Sequence, residues 1–479
     1  MATYPRLASL KTFDDFQRRL DELGLELPAD REVTAGAESV LAQSAQAGTL
    51  AIGNRFCILP MEGWDGTSDG KPSDLTRRRW KHFGISGAKL MWGGEAVAVR
   101  HDGRANPNQL CLTEANQKDI AQLRELLIAA HVERFGDDDG LVVGLQLTHS
   151  GRYAKPNDHH TPEPRIVQRN PALDPRVRVD DDTPILTDDA LKALIDDFVA
   201  AAARAQKLGF DFVDIKHCHG YLGHELLSGI DRPGEFGGSF ENRTRFLRDI
   251  VAGIRSEAPG LELGVRLSVF DFVPYCQAES GVGVPDPLAD PRLVFGSTPG
   301  GDGIDLTEPL RFLELMQQLG MRLICTTAGS PYYTPHLQRP AFFPPSDGYQ
   351  PPEDPLVGVQ RQIAATAQLK QRFPEMFVVG SGYTYLQDWL PNVAQAVIRD
   401  RLADSIGLGR MVLSYPDLPA DVLEGQTLAR KRICRTFSDC TTAPRKGMIS
   451  GCYPLDTYYK EMPERKQLQE LKKLSVRNS

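Results

Sequence analysis

Long apolar runs, basic clusters and a cysteine framework are all missing from this 479-residue chain. No apolar run approaches the roughly 20 residues of a membrane-spanning helix, and the N-terminus lacks the apolar core of a signal peptide. The net charge of −8, with no basic run at either end, argues against nucleic acid or an acidic membrane as a partner. Eight mostly scattered cysteines do not form a disulfide framework. We therefore expect a cytoplasmic protein with reduced thiols.

What the chain does have is a regular alternation of short apolar runs with longer amphipathic ones after about residue 50. The predicted strands are Phe56–Pro60, Lys89–Trp92, Leu141–Leu147, Phe212–His217, Leu263–Leu267, Leu323–Thr326, Phe377–Val379 and Ser405–Leu408. The clearest helical patterns are Glu114–Glu133, capped by Thr113, then Thr187–Leu208, Phe240–Glu257, Pro355–Arg372 and Tyr385–Arg401. Eight strand–helix repeats predict a closed (β/α)₈ barrel of the α/β class, a TIM barrel. The alternative, a doubly wound open sheet, lacks its G-x-G-x-x-G turn.

The barrel is expected over residues 46–430, between two flanking segments. Residues 1–45 form an N-terminal extension with a predicted helix at Asp14–Leu23, a packing or homo-oligomer arm. Residues 431–479 form a C-terminal tail. A Gly/Pro/Asp-rich insertion at 275–303 follows the fifth strand, and a loop of that length is usually functional or mobile.

Three long polar side chains are expected to point into the barrel. Side chains alternate faces along a strand, so Gln146, Lys216 and Arg266 oppose the aliphatic faces of their strands. A buried Lys or Arg is costly unless it is paired or faces a binding site. One such residue is as readily explained by a structural ion pair, for example Lys216 with Asp214. Three at the same end of the barrel favour a ligand site.

The fourth strand ends in Asp214-Ile-Lys-His-Cys-His-Gly-Tyr221, followed by Glu235-Phe-Gly-Gly-Ser-Phe-Glu-Asn-Arg243. This wording resembles the old yellow enzyme family of flavin-dependent ene-reductases. Asn54 to Met61, the segment Gln146-Leu-Thr-His-Ser-Gly-Arg152 and Arg266 also resemble the family's motifs. The usual first histidine of the fourth-strand motif is replaced by Lys216, and Glu62 stands where Thr or Cys is usual.

The resemblance implies FMN at the C-terminal mouth of the barrel, with NADH or NADPH as hydride donor. The implied FMN-binding residues are Pro60, Met61, Glu62, Gly94, Gln146, Arg266, Gly380, Ser381, Gly382, Gly409 and Arg410. Glycines at the ends of the seventh and eighth strands let backbone N–H groups approach a phosphate, and Arg410 adds charge. A carboxylate at Glu62 should disfavour the reduced flavin unless it is protonated or paired.

The resemblance also implies the catalytic groups. Lys216 and His219 would donate to the substrate oxygen, and Tyr221 would protonate the α-carbon. Strand parity sends His217 outward. The aromatic loop after the sixth strand predicts Tyr332, Tyr333 and His336 as walls of a small-molecule substrate pocket.

The tail contains Cys434, Cys440 and Cys452. Relatives of the 2,4-dienoyl-CoA reductase and trimethylamine dehydrogenase type carry an iron–sulfur cluster just after the barrel, and such a cluster takes four thiolates. Two ligand positions here are Ile433 and Thr436, so we expect a relic of that motif without metal.

The resemblance therefore implies an FMN-dependent NAD(P)H oxidoreductase that reduces an activated C=C bond. Oxidation or demethylation of a small amine is the alternative, since adjacent tyrosines can cage a cation. A Schiff-base lyase that uses Lys216 and a non-catalytic flavin-binding protein are also left open.

Overall fold

The computed structural model describes residues 4–477 and confirms the barrel. The strands are β1 Ala45–Ala47, β2 Leu50–Ile52, β3 Phe56–Ile58, β4 Leu90–Met91, β5 Ala96–Ala98, β6 Val142–Thr148, β7 Phe212–Ile215, β8 Glu262–Ser268, β9 Tyr275–Gln277, β10 Gly283–Pro285, β11 Leu323–Thr327, β12 Phe377–Gly380 and β13 Ser405–Leu408.

Eight parallel strands form a closed ring in the order β3, β4, β6, β7, β8, β11, β12, β13. The ring closes where β13 pairs with β3 and where Leu90 of β4 lies opposite Val142 of β6. Each of these strands overlaps one of the eight predicted from the sequence. The short strand β5 was not predicted; it extends the sheet beside the upper half of β6, with Ala96 opposite Gln146.

The helices are α1 Phe13–Leu23, α2 Asp74–Gly84, α3 Gln117–Phe135, α4 Asp188–Lys207, α5 Leu222–Leu227, α6 Phe240–Arg243, α7 Arg245–Glu257, α8 Thr307–Gln318, α9 Pro335–Gln338, α10 Pro355–Arg372, α11 Leu390–Arg399, α12 Met411–Ser414, α13 Leu418–Leu423, α14 Asp439–Arg445, α15 Thr457–Glu461 and α16 Glu464–Arg477.

Three predicted helical patterns need correction. The pattern predicted over Phe240–Glu257 is divided at Thr244 into α6 and α7. The helix predicted from Glu114 begins at Gln117, after Asn116 rather than a Thr113 cap. The pattern predicted over Tyr385–Arg401 splits, because a 3₁₀ segment at Tyr383–Trp389 precedes α11. The helix predicted over Thr187–Leu208 is capped by Thr187, whose hydroxyl accepts from the backbone N–H of Ala190.

The segments outside the barrel pack against its lower end and its wall. The hairpin β1–β2 covers the lower end, where Ala47 and Ile52 join a buried cluster with Trp92 and Phe212. The extension packs on the barrel wall, with the ring of Phe16 stacked on Trp389 at 5.4 Å. The insertion after β8 carries the antiparallel pair β9–β10. Across residues 4–477, no helix combines the length and apolarity needed to cross a bilayer.

Candidate active site

A deep cavity opens at the C-terminal end of the barrel strands, with about 1310 Å³ of free space including its mouth. Its walls come from strand ends, from the loop after β11 and from the C-terminal tail. The predicted site residues that line it are Pro60, Met61, Glu62, Gln146, Lys216, His219, Tyr221, Arg266, Tyr332, Ser381, Gly382, Gly409 and Arg410.

One wall of the cavity carries polar side chains that are held in place by hydrogen bonds inside the barrel. Gln146 donates from Nε2 to Asp214 at 2.5 Å, and Trp92 Nε1 donates to the same carboxylate at 2.8 Å. Burial raises the pKa of Asp214 to about 6, despite these donors. Arg266 donates to the carbonyl of Pro60 at 3.3 Å, while its buried Nε has no hydrogen-bond partner among the described residues. A flavin's pyrimidine edge offers the acceptors that this wall lacks.

The opposite end of the cavity is rich in unpaired donors. Among residues 4–477, Ser381 Oγ and Arg410 Nη1 are buried without partners, as are two guanidinium nitrogens of Arg339. A Cβ added at Gly409 would meet open space. Burial, together with Arg445 and Arg410, lowers the pKa of Arg339 to about 9, as expected for clustered cations. These residues fit a phosphate, so the cavity as a whole fits FMN.

Replacing Arg410 with alanine is expected to weaken FMN binding by roughly tenfold to 150-fold. A hydrogen bond to a charged group is worth about 1.5–3 kcal/mol, and every 1.4 kcal/mol is about tenfold in affinity. Fluorescence titration of the apoprotein with FMN measures the dissociation constant. Arg432→Ala, which removes an arginine paired with Asp417 outside the cavity, is the control. An unchanged constant in Arg410→Ala would separate this arginine from the phosphate.

Lys216 and Glu62, the two departures from the family pattern, contact each other. Lys216 Nζ lies 2.8 Å from Glu62 Oε1, and both side chains are largely buried, at 4% and 13% exposed. The other Glu62 oxygen accepts from Tyr221 at 2.7 Å and from the Trp64 indole at 3.2 Å. The suggested ion pair of Lys216 with Asp214 is therefore wrong, because Asp214 is held by other donors. The sequence indicated no partner for the Glu62 carboxylate, and the structure pairs it with Lys216.

The segment that carries Glu62 is held in place by hydrogen bonds from Arg79, which we call the brace. Arg79 of α2 donates two hydrogen bonds to Asp65, each 2.7 Å long, and two to Glu95, one of them 3.2 Å long. A Cβ at Gly63 would lie 1.9 Å from this guanidinium, so only glycine fits. The brace fixes the backbone from which Glu62 reaches Lys216.

His219 occupies a tight turn at the end of β7. Its backbone φ of 66° lies in the left-handed region, which costs energy for a residue with a side chain. The turn is held by Ser268 Oγ, which accepts from His219 N at 3.0 Å, and by Ser330, which donates to the His219 carbonyl at 2.8 Å. Burial and the nearby Arg266 and Lys216 hold the pKa of His219 well below 6.5. A neutral imidazole therefore faces the cavity.

Aromatic rings form the wall beside Lys216. Its ammonium lies 3.8 Å from the centre of the Tyr221 ring, a cation–π contact. The hydroxyls of Tyr221 and Tyr332 are 2.9 Å apart. Tyr332 is stacked on Tyr153 at 3.9 Å with an interplanar angle of 8°. The position of Tyr332 is thus fixed from two sides.

Some predicted residues lie away from the cavity. Gly94 packs against Trp80 instead, since a Cβ there would fall 2.6 Å from the indole, and Gly380 faces Tyr383. Tyr333 lines a small separate cavity with Asp271 and His224. His336 forms a hydrogen bond with Tyr349 at 2.7 Å. His217 points outward, as strand parity predicted, and its ring lies 5.7 Å from Phe312.

The C-terminal tail contributes residues to the cavity that the sequence did not suggest: Cys440, Thr441, Pro444, Arg445 and Ser450. Arg78 anchors the tail through two hydrogen bonds to Asp456, 2.9 and 3.0 Å long. Arg339, on the loop after β11, also lines the cavity and donates to Thr441. The sequence signal that could have identified Arg339 is its position in the run Leu337-Gln-Arg-Pro340 after a strand.

The two non-cysteine positions of the relic motif have structural roles. Ile433 is fully buried in the core, and Thr436 Oγ1 accepts from Phe342 N at 3.2 Å. Within the described residues, no group of three or more His, Cys, Asp or Glu side chains is arranged to hold a metal ion. The absence of an iron–sulfur cluster stays a prediction, which iron and sulfide analysis of the purified protein can test.

The barrel and the hydrogen-bond donors at its mouth indicate a flavin-binding enzyme. Comparison with known sequences identifies its family. Residues 43–284, half of the chain, match the NADH:flavin oxidoreductase / NADH oxidase family. An NADPH dehydrogenase from Bacillus subtilis is 27% identical over 375 residues, which cover 77% of this chain and 89% of that protein. The chain belongs to this family, the old yellow enzymes, and is an FMN-dependent NAD(P)H oxidoreductase. The lyase and non-catalytic alternatives are thereby set aside.

Solved structures share the fold over more than the barrel. 2-Naphthoyl-CoA reductase aligns with a TM-score of 0.65 at 17% identity, covering 88% of this chain and 58% of that one. Histamine dehydrogenase from Rhizobium aligns with a TM-score of 0.60 at 21% identity, covering 88% of this chain and 53% of that one. This chain therefore spans little more than half the length of either.

Proposed function

We propose that this enzyme reduces C=C bonds conjugated to a carbonyl group. One observation carries the proposal: Lys216, His219 and the Tyr221 phenol line the same cavity as the Gln146–Arg266 wall. Two groups that donate to an oxygen, beside one that can give a proton, suit a substrate that becomes an enolate during reduction.

The residues divide into a cofactor set and a substrate set. FMN, when bound, supplies the reducing electrons as hydride. Gln146 and Arg266 would hold its pyrimidine edge, where the fixed cation favours the reduced ring. Ser381, Gly382, Gly409 and Arg410 would hold its phosphate. Pro60 and Met61 would pack against the ring.

On the substrate side, Lys216 and His219 would stabilise the oxygen as negative charge develops. Lys216 Nζ has three N–H groups, and the bond to Glu62 leaves others for the substrate. The ion pair offsets the charge of the ammonium, which should favour a neutral carbonyl compound over an anionic one. Tyr221 would protonate the α-carbon.

Placement in the branch of the 2,4-dienoyl-CoA reductases is part of the same proposal. The structural alignments with 2-naphthoyl-CoA reductase and histamine dehydrogenase extend to 88% of this chain. The tail lies over the mouth of the barrel and would thus shape substrate access, although the cysteine spacing of a cluster is broken.

Amine oxidation is the second candidate, favoured by the aromatic wall of Tyr153, Tyr221 and Tyr332. The ammonium of Lys216 already occupies the cation position over Tyr221, which would repel a protonated amine. Consumption of NADH and NADPH should be measured anaerobically with 2-cyclohexenone, and flavin reduction should be measured with histamine or trimethylamine alone. We expect turnover with the enone. Flavin reduction by an amine without NAD(P)H, combined with no enone turnover, would favour the second candidate.

A further inference from the structure

The Tyr221 hydroxyl makes two hydrogen bonds, and their directions can be assigned. It lies 2.7 Å from Glu62 Oε2 and 2.9 Å from the hydroxyl of Tyr332. A phenol has one proton to donate, and a carboxylate only accepts. Tyr221 therefore donates to Glu62, and Tyr332 donates to Tyr221. The three groups form a directed chain that begins at the loop after β11.

This direction makes Tyr221 a poor proton donor on its own. If it lost its proton, the resulting phenolate would lie 2.7 Å from a carboxylate. Burial and the neighbouring Glu62 hold the pKa of Tyr221 well above 10. Two adjacent anions in a buried site repel, and Lys216 offsets only one negative charge, so a replacement proton that arrives at the same time favours donation by Tyr221.

Tyr332 is placed to supply that proton. Its ring is held by stacking on Tyr153, and its side chain is only partly buried at the mouth of the cavity. The guanidinium of Arg445 lies 5.9 Å from its ring centre. Burial and the Glu62 carboxylate raise the pKa of Tyr332, whereas its hydrogen bond with Tyr221 and the cations Arg445 and Arg339 lower it. A phenolate is therefore better tolerated at Tyr332 than beside Glu62.

We propose that Tyr332 is a positioning and proton-relay residue, which passes its proton to Tyr221 as Tyr221 protonates the substrate. The Tyr221 O–H bond breaks as the α-carbon C–H bond forms, and the Tyr332 O–H bond breaks as Tyr221 regains its proton. The enolate becomes a neutral ketone, and Tyr332 is left as a phenolate that takes a proton from water. This inference rests on the proposed alkene reduction.

The relay can be tested by counting the protons that are transferred while the substrate is protonated. The oxidation of reduced enzyme by 2-cyclohexenone should be followed by stopped flow in mixtures of H₂O and D₂O. Wild type should give a curved dependence of rate on deuterium fraction, as two moving protons require. Tyr332→Phe should be slower by about tenfold, a modest share of what general-acid catalysis usually contributes, and should give a straight line. Reduction by NAD(P)H should change far less, because that half-reaction forms no enolate.

Tyr153→Phe is the matched control, because it keeps the stacked ring and removes only a buried hydroxyl that has no partner among the described residues. It should retain the curved dependence. If Tyr332→Phe fails to fold or to bind FMN, Arg445→Met provides the second test, since losing that cation should slow the same half-reaction. A curved dependence in Tyr332→Phe, or an unchanged rate in Arg445→Met, would overturn the relay.

The two proposals fail differently. A straight line in wild type, with normal enone reduction, would contradict the relay alone. If no enone oxidised the reduced wild-type enzyme, the proposal of alkene reduction would be contradicted. The relay, which rests on that proposal, would be contradicted as well.

Discussion

Lys216→Met is expected to lower the free energy of unfolding by about 3–5 kcal/mol, because it leaves Glu62 as a buried charge without its ion partner. The two groups lie 2.8 Å apart and are both largely shielded from water. Methionine preserves most of the side-chain volume, so little of the loss would come from a cavity. Urea unfolding of the FMN-loaded protein measures the effect.

The double variant Glu62→Gln/Lys216→Met separates the ion pair from other causes. Once neither charge is present, much of the lost stability should return, since replacing a buried pair with neutral groups is often close to neutral. If the double variant is as unstable as the sum of the two single variants, the residues are not coupled in stability. In that case the lower stability of Lys216→Met would come from altered packing and not from the loss of the ion pair.

His219→Ala is expected to slow the oxidation of reduced enzyme by an enone by about 10²–10³-fold. Removal of one well-placed donor to a developing oxyanion typically has an effect of this size. His219 faces the cavity from a strained turn that two serines hold in place. Stopped-flow absorbance of the flavin measures this half-reaction directly.

The reductive half-reaction is the internal control for His219→Ala. Reduction by NAD(P)H forms no enolate, so its rate should change far less. Equal losses in both half-reactions, in a variant that retains its flavin, would show that His219 supports the cofactor site rather than the substrate.

The barrel could be predicted because its signals are local. Alternating apolar positions reveal strands, and strand parity was sufficient to place Gln146, Lys216 and Arg266 on the inner surface. The same parity sent His217 outward, where it contacts Phe312. Most errors in helix boundaries fell where irregular turns precede a helix, as at Asn116.

The contacts that define the substrate side depend on distant parts of the chain. Glu62 and Lys216 are 154 positions apart, and nothing in either motif indicates that they would pair. The structure shows that the charges of these two residues compensate each other. The tail was equally hard to place, because Arg339 and Thr441 meet across 102 positions. Loops and tails lack the periodicity that identifies strands.

The most direct test of alkene reduction is one anaerobic absorbance experiment on the purified protein. The oxidised FMN spectrum should bleach on addition of one equivalent of NADPH or NADH. Addition of 2-cyclohexenone, still without oxygen, should restore the spectrum and yield cyclohexanone. A flavin that bleaches with NAD(P)H but stays reduced in the presence of this and other enones would contradict alkene reduction.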